Sequence, residues 1–470
     1  MQKTLLIKAL ITTALALALL VPLALIHSTV YERKARQAAV VQEVAGSLAG
    51  GQTLAGPVLV FPYRLEWTET VTEDGPATPT GAAARVRREC QRRVDGNWVV
   101  LPGSADWDGT VTTDFKHRGL FKVLVYDLNA TVAGHFEVPA EPVLPGLSAG
   151  TKVTWGTPFV SVFIDDTRGL SGAPRLTLDG EELRFRNGSG LPTLPDGIRA
   201  EVATRKPGAA LSLPFSLTLA VRGTESLNFI PLAETTRVAL ASAWPHPSFG
   251  GSFLPLPRDR QGTAEGFSAR WEVTSLAATA PAAFVEAARE DRACKGNCRE
   301  SFGVRFIEPI NVYSLADRAL KYGFLFVSLS FSAFFLFELL KSLRIHPAQY
   351  LLVGLALALF FLLLLSLSEQ VSFDLAYALA AGACIALQGF YLSHVLHSVR
   401  RGLGFAGLLT ALFGALYGLL INEDTALLMG SLLLFGLLAM VMVITRRLDW
   451  YGIGLDGRGG AGTVAGGQAD

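Results

Sequence analysis

The densest grouping of reactive side chains in the chain is Cys294-Lys-Gly-Asn-Cys298. Two thiols four residues apart, with Gly296 and Asn297 between them to let the chain turn, suit a local disulfide in an oxidising compartment. Free thiols are the next reading. Metal binding ranks last, because the segment supplies two thiols and has no histidine beside them. Candidate general bases are sparse: His117, His135 and His246, with His27 at the edge of an apolar run. Asp165 and Asp166 are adjacent, and strand neighbours point to opposite faces, so a turn or cap role is expected rather than a carboxylate pair. Cys90 lies among Arg85, Arg87, Arg88, Arg92 and Arg93, which would favour its thiolate; a surface loop is the expected setting. Asn187-Gly-Ser has the form of a glycosylation sequon and reads better as a hairpin turn.

Motifs of known chemistry are missing. The chain has no G-x-S-x-G elbow, H-E-x-x-H pair or Walker A loop. Gly402–Gly407 and Gly452–Gly457 have the G-x-G-x-x-G form but follow apolar runs, not strands, so neither is read as a nucleotide site. These residues predict no cofactor, no metal centre and no enzyme. With 41 Lys and Arg against 40 Asp and Glu, the net charge of +1 gives no reason to expect nucleic-acid binding.

What must position these residues is a membrane block. Between about residues 322 and 447 lie five apolar runs: Tyr322–Leu340, Tyr350–Leu367, Phe373–Leu396, Phe405–Leu420 and Thr425–Thr445. Each has about 16–24 residues, enough at 1.5 Å per residue to cross roughly 30 Å of hydrocarbon. Basic residues follow the first, third and fifth runs (Lys341 and Arg344, Arg400 and Arg401, Arg446 and Arg447), while the other two breaks hold Glu369, Asp374, Asn422, Glu423 and Asp424. That alternation places the basic breaks in the cytoplasm. Arg318 and Lys321, before the first run, count against it. Residues 1–30 read as an uncleaved signal anchor running apolar from Leu5 to Ile26, although Arg33, Lys34 and Arg36 follow it on the outer side. The expectation is six transmembrane helices with both termini cytoplasmic. Charges cluster at span ends. Gln388 is the most polar residue inside a span, as helix glue or on a solute path. Small residues mark a helix-packing seam, Ala378, Gly382 and Ala386 on one helix and Gly407, Ala411, Gly414 and Gly418 on another, within the chain or between copies of a homo-oligomer. The Gly-rich tail 452–470 should be disordered in the cytoplasm.

Residues 31–49 predict a juxtamembrane helix with Val40, Val41, Val44 and Leu48 on one face. From about 50 to 320 the texture becomes β. Short β-branched and aromatic runs (Pro57–Tyr63, Phe121–Leu128, Lys152–Phe163, Leu211–Val221) alternate with Asp-Gly and Asn-Gly dipeptides at 74, 95, 108, 179, 187 and 196. This predicts an exported antiparallel all-β domain, sandwich-like, with one helix near Ala280–Arg292. The Pro/Gly-rich stretch 139–150 would be the boundary if there are two sandwiches.

Three stretches are distinctive: Trp244-Pro-His-Pro-Ser-Phe-Gly-Gly-Ser-Phe-Leu-Pro, Phe302-Gly-Val-Arg-Phe-Ile-Glu-Pro-Ile-Asn-Val-Tyr, and Phe337-Glu-Leu-Leu-Lys-Ser-Leu-Arg-Ile-His-Pro-Ala-Gln-Tyr-Leu-Leu-Val-Gly-Leu-Ala, with Gly389-Phe-Tyr-Leu-Ser beside them. Over nearly its whole length the chain resembles the CreD family of bacterial inner-membrane proteins. The resemblance implies a Gram-negative inner-membrane protein linked to cell-envelope integrity, to a two-component system, to colicin tolerance and to the response to β-lactams. It brings no catalytic residues. The leading expectation is therefore a non-enzymatic protein whose periplasmic β domain binds an envelope protein, a lipid or a cell-wall component. The alternative is a transporter or lipid-handling channel through the helix bundle, and a hydrolase is the third reading. Trp244, His246, Phe249 and Phe253 form a candidate contact loop, with a structural connection as its bland counterpart.

Overall fold

The computed structural model describes residues 2–77, 83–142, 144, 150–202, 208, 210–257, 266–308, 311–341, 345–395, 398–422 and 426–446. The tail 452–470 lies outside them. The chain forms two compact units, one of Met1–Ala38 with Ile310–Asp470 and one of Ala39–Pro309. The helices are α1 (Gln2–Ala18), α2 (Leu20–Ser47), α3 (Ala280–Arg289), α4 (Val312–Lys321), α5 (Gly323–Lys341), α6 (Pro347–Ser368), α7 (Phe373–Val395), α8 (Val399–Ile421) and α9 (Ala426–Thr445). The strands are β1 (Gln52–Ala77), β2 (Ala83–Val100), β3 (Pro102–Arg118), β4 (Phe121–Val138), β5 (Lys152–Trp155), β6 (Phe159–Ile164), β7 (Arg175–Leu178), β8 (Glu181–Leu183), β9 (Phe185–Asn187), β10 (Gly197–Glu201), β11 (Leu211–Thr224), β12 (Ser226–Ile230), β13 (Thr235–Ser242), β14 (Pro247–Gly251), β15 (Phe267–Thr274) and β16 (Phe302–Phe306).

Residues 39–309 hold a two-sheet sandwich. One sheet runs β14-β16-β12-β1-β6-β10-β9, with β2 and β5 also on β1; the other runs β15-β13-β3-β4-β11-β7-β8. Period-2 alternation decides which face is buried. On β11, Leu213, Phe215, Leu217, Leu219 and Val221 are buried while Ser212, Pro214, Ser216 and Thr218 are exposed. On β6 all six residues are buried. Val160, Val162 and Ile164 enter the inter-sheet core, and Phe159 and Phe163 lie under α3, where Phe284 packs on Phe163. Strands before and after 139–150 meet in both sheets, as β1 with β6 and β4 with β11, so the chain on either side of that stretch belongs to one sandwich.

Two details differ from the sequence reading. The sheets are mixed, since β1 pairs with β12 and β13 with β3 in parallel. Three of the Asp-Gly pairs, Asp74-Gly75, Asp95-Gly96 and Asp108-Gly109, also sit inside strands rather than in turns. A Cβ at Gly96 would stand 2.5 Å from the Tyr63 hydroxyl, and one at Gly109 would stand 2.9 Å from both Leu128 and Leu240. These glycines make room for a side chain across the ladder. Asp179-Gly180 is a genuine hairpin turn, with both φ angles positive.

In the helical unit α1 and α2 run on through Leu19, whose N–H bonds to the Leu15 carbonyl. Leu10–Ser47 is one apolar-to-polar helix of 38 residues, about 57 Å long, or roughly twice the hydrocarbon thickness. The expected separate helix at 31–49 is thus its continuation. Val40, Val41, Val44 and Leu48 do share a face, against Val123 and Val125 of β4. Among the described residues four helices are long and apolar enough to span a membrane: Leu10–Ser47, Pro347–Ser368, Phe373–Val395 and Val399–Ile421. Six were expected. The runs behind the other two do form helices, α5 and α9, but many of their side chains fall outside the described residues and neither is among the four. Close approach sets the bundle's packing at Gly354, where a Cβ would come within 2.1 Å of Leu19 and 2.7 Å of Phe331. The begin-signal of α6 is a capping box. The Ala348 N–H donates to His346 Nδ1 (3.2 Å), and the His346 N–H donates to Gln349 Oε1 (3.0 Å), with Pro347 in the first turn.

Because Phe136 is fully buried between the sheets, Phe136→Ala should lower the sandwich's stability by about 3–5 kcal/mol. Exposed Glu137 beside it should tolerate Ala within about 0.5 kcal/mol. Denaturant titration of the purified protein checks the contrast.

Candidate functional site: a polar cluster at one end of the helix bundle

α4 is a short amphipathic helix. Asn311 caps it, its Oδ1 accepting from the Tyr313 N–H (3.0 Å) while its Nδ2 donates to Gln37 Oε1 on α2 (2.8 Å). Tyr313, Leu315, Ala316, Ala319 and Leu320 form its buried stripe. The polar face gathers charge. Asp317 lies 3.2 Å from His27 Nε2 and 3.1 Å from Lys321 Nζ. Arg318 donates to the Leu420 carbonyl in the last turn of α8 (3.2 Å), as a cation should at a helix C-terminus. Glu369 ends α6, where the helix dipole disfavours an anion. It is held there by the Tyr313 hydroxyl (3.2 Å) and by Arg33 of α2 (3.7 Å), and its side chain is 11 % exposed. A second tie joins the Tyr417 hydroxyl to Asp374 at 2.9 Å.

Electrostatics follow from these partners. Burial pulls the Asp317 carboxyl upward, but the Lys321 hydrogen bond and charge, with Lys34 and His27, outweigh it and hold it below the usual range. Burial, reinforced by the Glu369 charge, pushes the Tyr313 phenol up to about 12. Tyr313 is therefore a neutral donor throughout the physiological range, and the cluster's stabilisation through it is lost only as pH rises from about 10 through that value.

The other candidate residues lie elsewhere. Cys294 and Cys298 are bonded, with Cα atoms 5.8 Å apart. They pack with Phe284, Leu191 and Leu194 on the outer face of the first sheet. Glu300 just beyond accepts from both the Thr279 N–H and its hydroxyl, at 2.7 and 2.9 Å. The Trp244–Phe253 segment is largely built into the core: Phe249 packs on Phe267 and Trp271, and Phe253 on Phe302. Trp244 donates its indole N–H to the His246 carbonyl and stacks edge-on with Phe115. His246 is exposed. Asp166 caps the 3-10 turn Thr167–Gly169 and pairs with Arg168.

The small-residue seam does not pack within the chain as drawn. Ala378, Gly382 and Gly414 face outward, and a Cβ at Gly382 or Gly414 would meet nothing within 4 Å; Gly418 instead approaches Met429 of α9. The buried stripe of α7 is Phe373, Ala376, Tyr377, Ala380, Ala381, Cys384, Gln388 and Leu392. Gln388 is 2 % exposed. Its Nε2 donates to Cys384 Sγ one turn back (3.2 Å), Cys384 reaches the Ala356 carbonyl of α6 (3.5 Å), and Gln388 Oε1 has no partner among the described residues. Cys384 also lines an apolar groove of about 590 Å³ between α6 and α7, with Leu352, Leu355, Leu359, Leu363 and Leu387.

Of the histidines, His117 sits near the tip of the β3–β4 hairpin. His135 has Ser104 Oγ 3.1 Å from Nδ1 and Glu137 3.5 Å from Nε2. That order resembles a catalytic array, but the side chains of His135 and Glu137 are 39 % and 74 % exposed on an open sheet face, and a water-excluding wall is what such chemistry needs. Cys90 lies within β2, not in a loop, and the basic strand around it is answered by acids on β1: Glu66 stands opposite Arg93, and Glu69 accepts from Arg92 at 2.8 Å. Sequence reasoning missed Tyr313, Glu369 and His346. A signal for the first two was present: the expected threading leaves Arg33, Arg318 and Lys321 on the side the charge rule disfavours, and such cations need local partners.

An N-terminal apolar helix, a large β-rich middle domain and further apolar helices after it define a multi-pass membrane protein with a folded insert. Residues 4–451 match the family described as Inner membrane protein CreD, and the chain belongs to that family. It is 33 % identical to Inner membrane protein CreD of Escherichia coli (strain K12) over 442 residues, 93 % of this chain and 92 % of the relative.

The lowered Asp317 carboxyl stabilises the cluster above about pH 4, and that contribution fades as pH falls through its lower folded-state value. Asp317→Asn should therefore lower the melting temperature of the detergent-solubilised protein at pH 6, with the gap to the parent narrowing as pH falls below about 4. Thermal scans across that pH range read it directly.

Proposed function

We propose that the chain crosses the inner membrane six times, with both termini cytoplasmic and the β-rich domain periplasmic. In this reading it contributes to cell-envelope integrity without catalysis, by binding an envelope protein, lipid or cell-wall component through the sandwich. Support for the threading comes from charge matching. The cations it leaves outside, Arg33, Arg318 and Lys321, meet Glu369, the Leu420 carbonyl and Asp317, as cations on the disfavoured side should.

The observation that carries the binding role is the β1–β2 ribbon. β5 pairs with β1 only as far as Glu66, whereas β1 and β2 continue from Trp67 opposite Arg92 to Ala77 opposite Ala83. Among the described residues this stretch pairs with no third strand. A two-stranded ribbon is marginal in water, and a long one continuing beyond the sheet offers a recognition surface, here with Trp67 and Val71 set among cross-strand charges. Lipid handling is the second reading, favoured by the α6–α7 groove; its leucine lining fits an acyl chain rather than an ion.

A photo-crosslinking amino acid at Trp67 in intact cells should give a discrete adduct with an envelope component, and one at exposed Thr218 should not. Equal, featureless labelling at both positions would count against the ribbon as the binding surface.

A further inference from the structure

The chain leaves the helical unit through α2 and returns to it through α4, and inside that unit the two segments are tied at the start and the middle of α4. Asn311, at its start, bonds to Gln37 at 2.8 Å. Asp317, in its second turn, meets His27 at 3.2 Å. Gln37 and His27 are ten residues apart on α2, about 15 Å along a helix, so the contacts fix both position and direction. The same short helix then reaches two more: Tyr313 bonds to Glu369 at the end of α6, with Arg33 of α2 on the same carboxylate, and Arg318 bonds to the Leu420 carbonyl at the end of α8. Its apolar stripe, Leu315, Ala316, Ala319 and Leu320, is buried beneath.

We propose that α2 and α4 form one rigid clamp, a conformational element that holds the outgoing and returning segments together and anchors both to the ends of α6 and α8. Displacement of either segment is then shared with those helix ends instead of being absorbed in a flexible joint. The argument uses contacts within the helical unit alone and does not depend on what the sandwich binds.

Hydrogen exchange of the full-length protein in lipid nanodiscs tests it. In Asn311→Ala/Asp317→Asn, amides of α4 and of the last turns of α6 and α8 should exchange about tenfold faster, as expected for local opening. Amides of β3 and β11 should not change. In an Asp317→Asn background, an oxidised Gln37→Cys/Asn311→Cys pair should restore the slow exchange and its reduction should abolish the rescue. Unchanged exchange in the double variant, or fast exchange persisting in the oxidised cysteine pair, would overturn the clamp. So would a loss of protection throughout both units, which would make α4 a general folding element. Should the double variant not be recovered folded, the isosteric Glu369→Gln should raise exchange at the end of α6 and in α4, and no rise there would equally overturn it.

Discussion

The carboxylate of Glu369 sits where a helix dipole and a low-polarity setting both oppose it, and it is tolerated because Tyr313 donates to it and Arg33 stands beside it. Removing either partner leaves a nearly buried charge short of compensation. Much of the helical unit is arranged around that requirement. α2 must extend past its apolar stretch to bring Arg33 into place, α4 must lie across the helix ends to present Tyr313, and the remaining polar face of α4 then finds Gln37, His27 and the end of α8. The ion pairs are individually weak where they face solvent. Their effect comes from acting on one ten-residue helix whose other face is buried.

Much of the architecture could be read from periodicity. Leu211–Val221 alternates cleanly because β11 has one face in the core and one face outside, and the apolar runs near 350, 373 and 405 are long because a bilayer demands length. The juxtamembrane face of Val40, Val41, Val44 and Leu48 was legible for the same reason. What failed were inferences from residue type alone. Asp95-Gly96 and Asp108-Gly109 look like turns, yet each glycine lies in a strand because a neighbouring side chain needs the space of its missing Cβ. Gly414 faces outward, so the seam does not notch this chain's own helices there, while packing between copies stays open, because a spacing of four marks a helix face without saying which way it points. The parallel ladders were invisible, since strand order is settled by long-range pairing.

The site was only half legible. His346, with Gln349, carries a capping signature that the sequence displays openly, but with histidine in place of the usual serine or threonine it reads as a stray imidazole. Two of the three distinctive stretches also prove to be one structural feature. Pro247–Gly251 pairs along its length with Phe302–Phe306, and the aromatic rings between them, Phe249, Phe253 and Phe302, close the core around Trp271. Gly251 adopts φ +93°, and a Cβ there would fall 2.2 Å from the Ser301 carbonyl oxygen. Those residues serve the sandwich before they serve any partner, which turns attention from the Trp244 loop to the ribbon of β1 and β2.

The account rests most on the two sides of the membrane to which charge is assigned. An impermeant thiol reagent applied to intact spheroplasts reports this directly, with Cys90 as the natural target in β2 and Arg401→Cys as the target at the start of α8. The account predicts that Cys90 is modified from outside without permeabilisation and that Cys at 401 is modified only after it. The reverse pattern, or modification of both from outside, would contradict it.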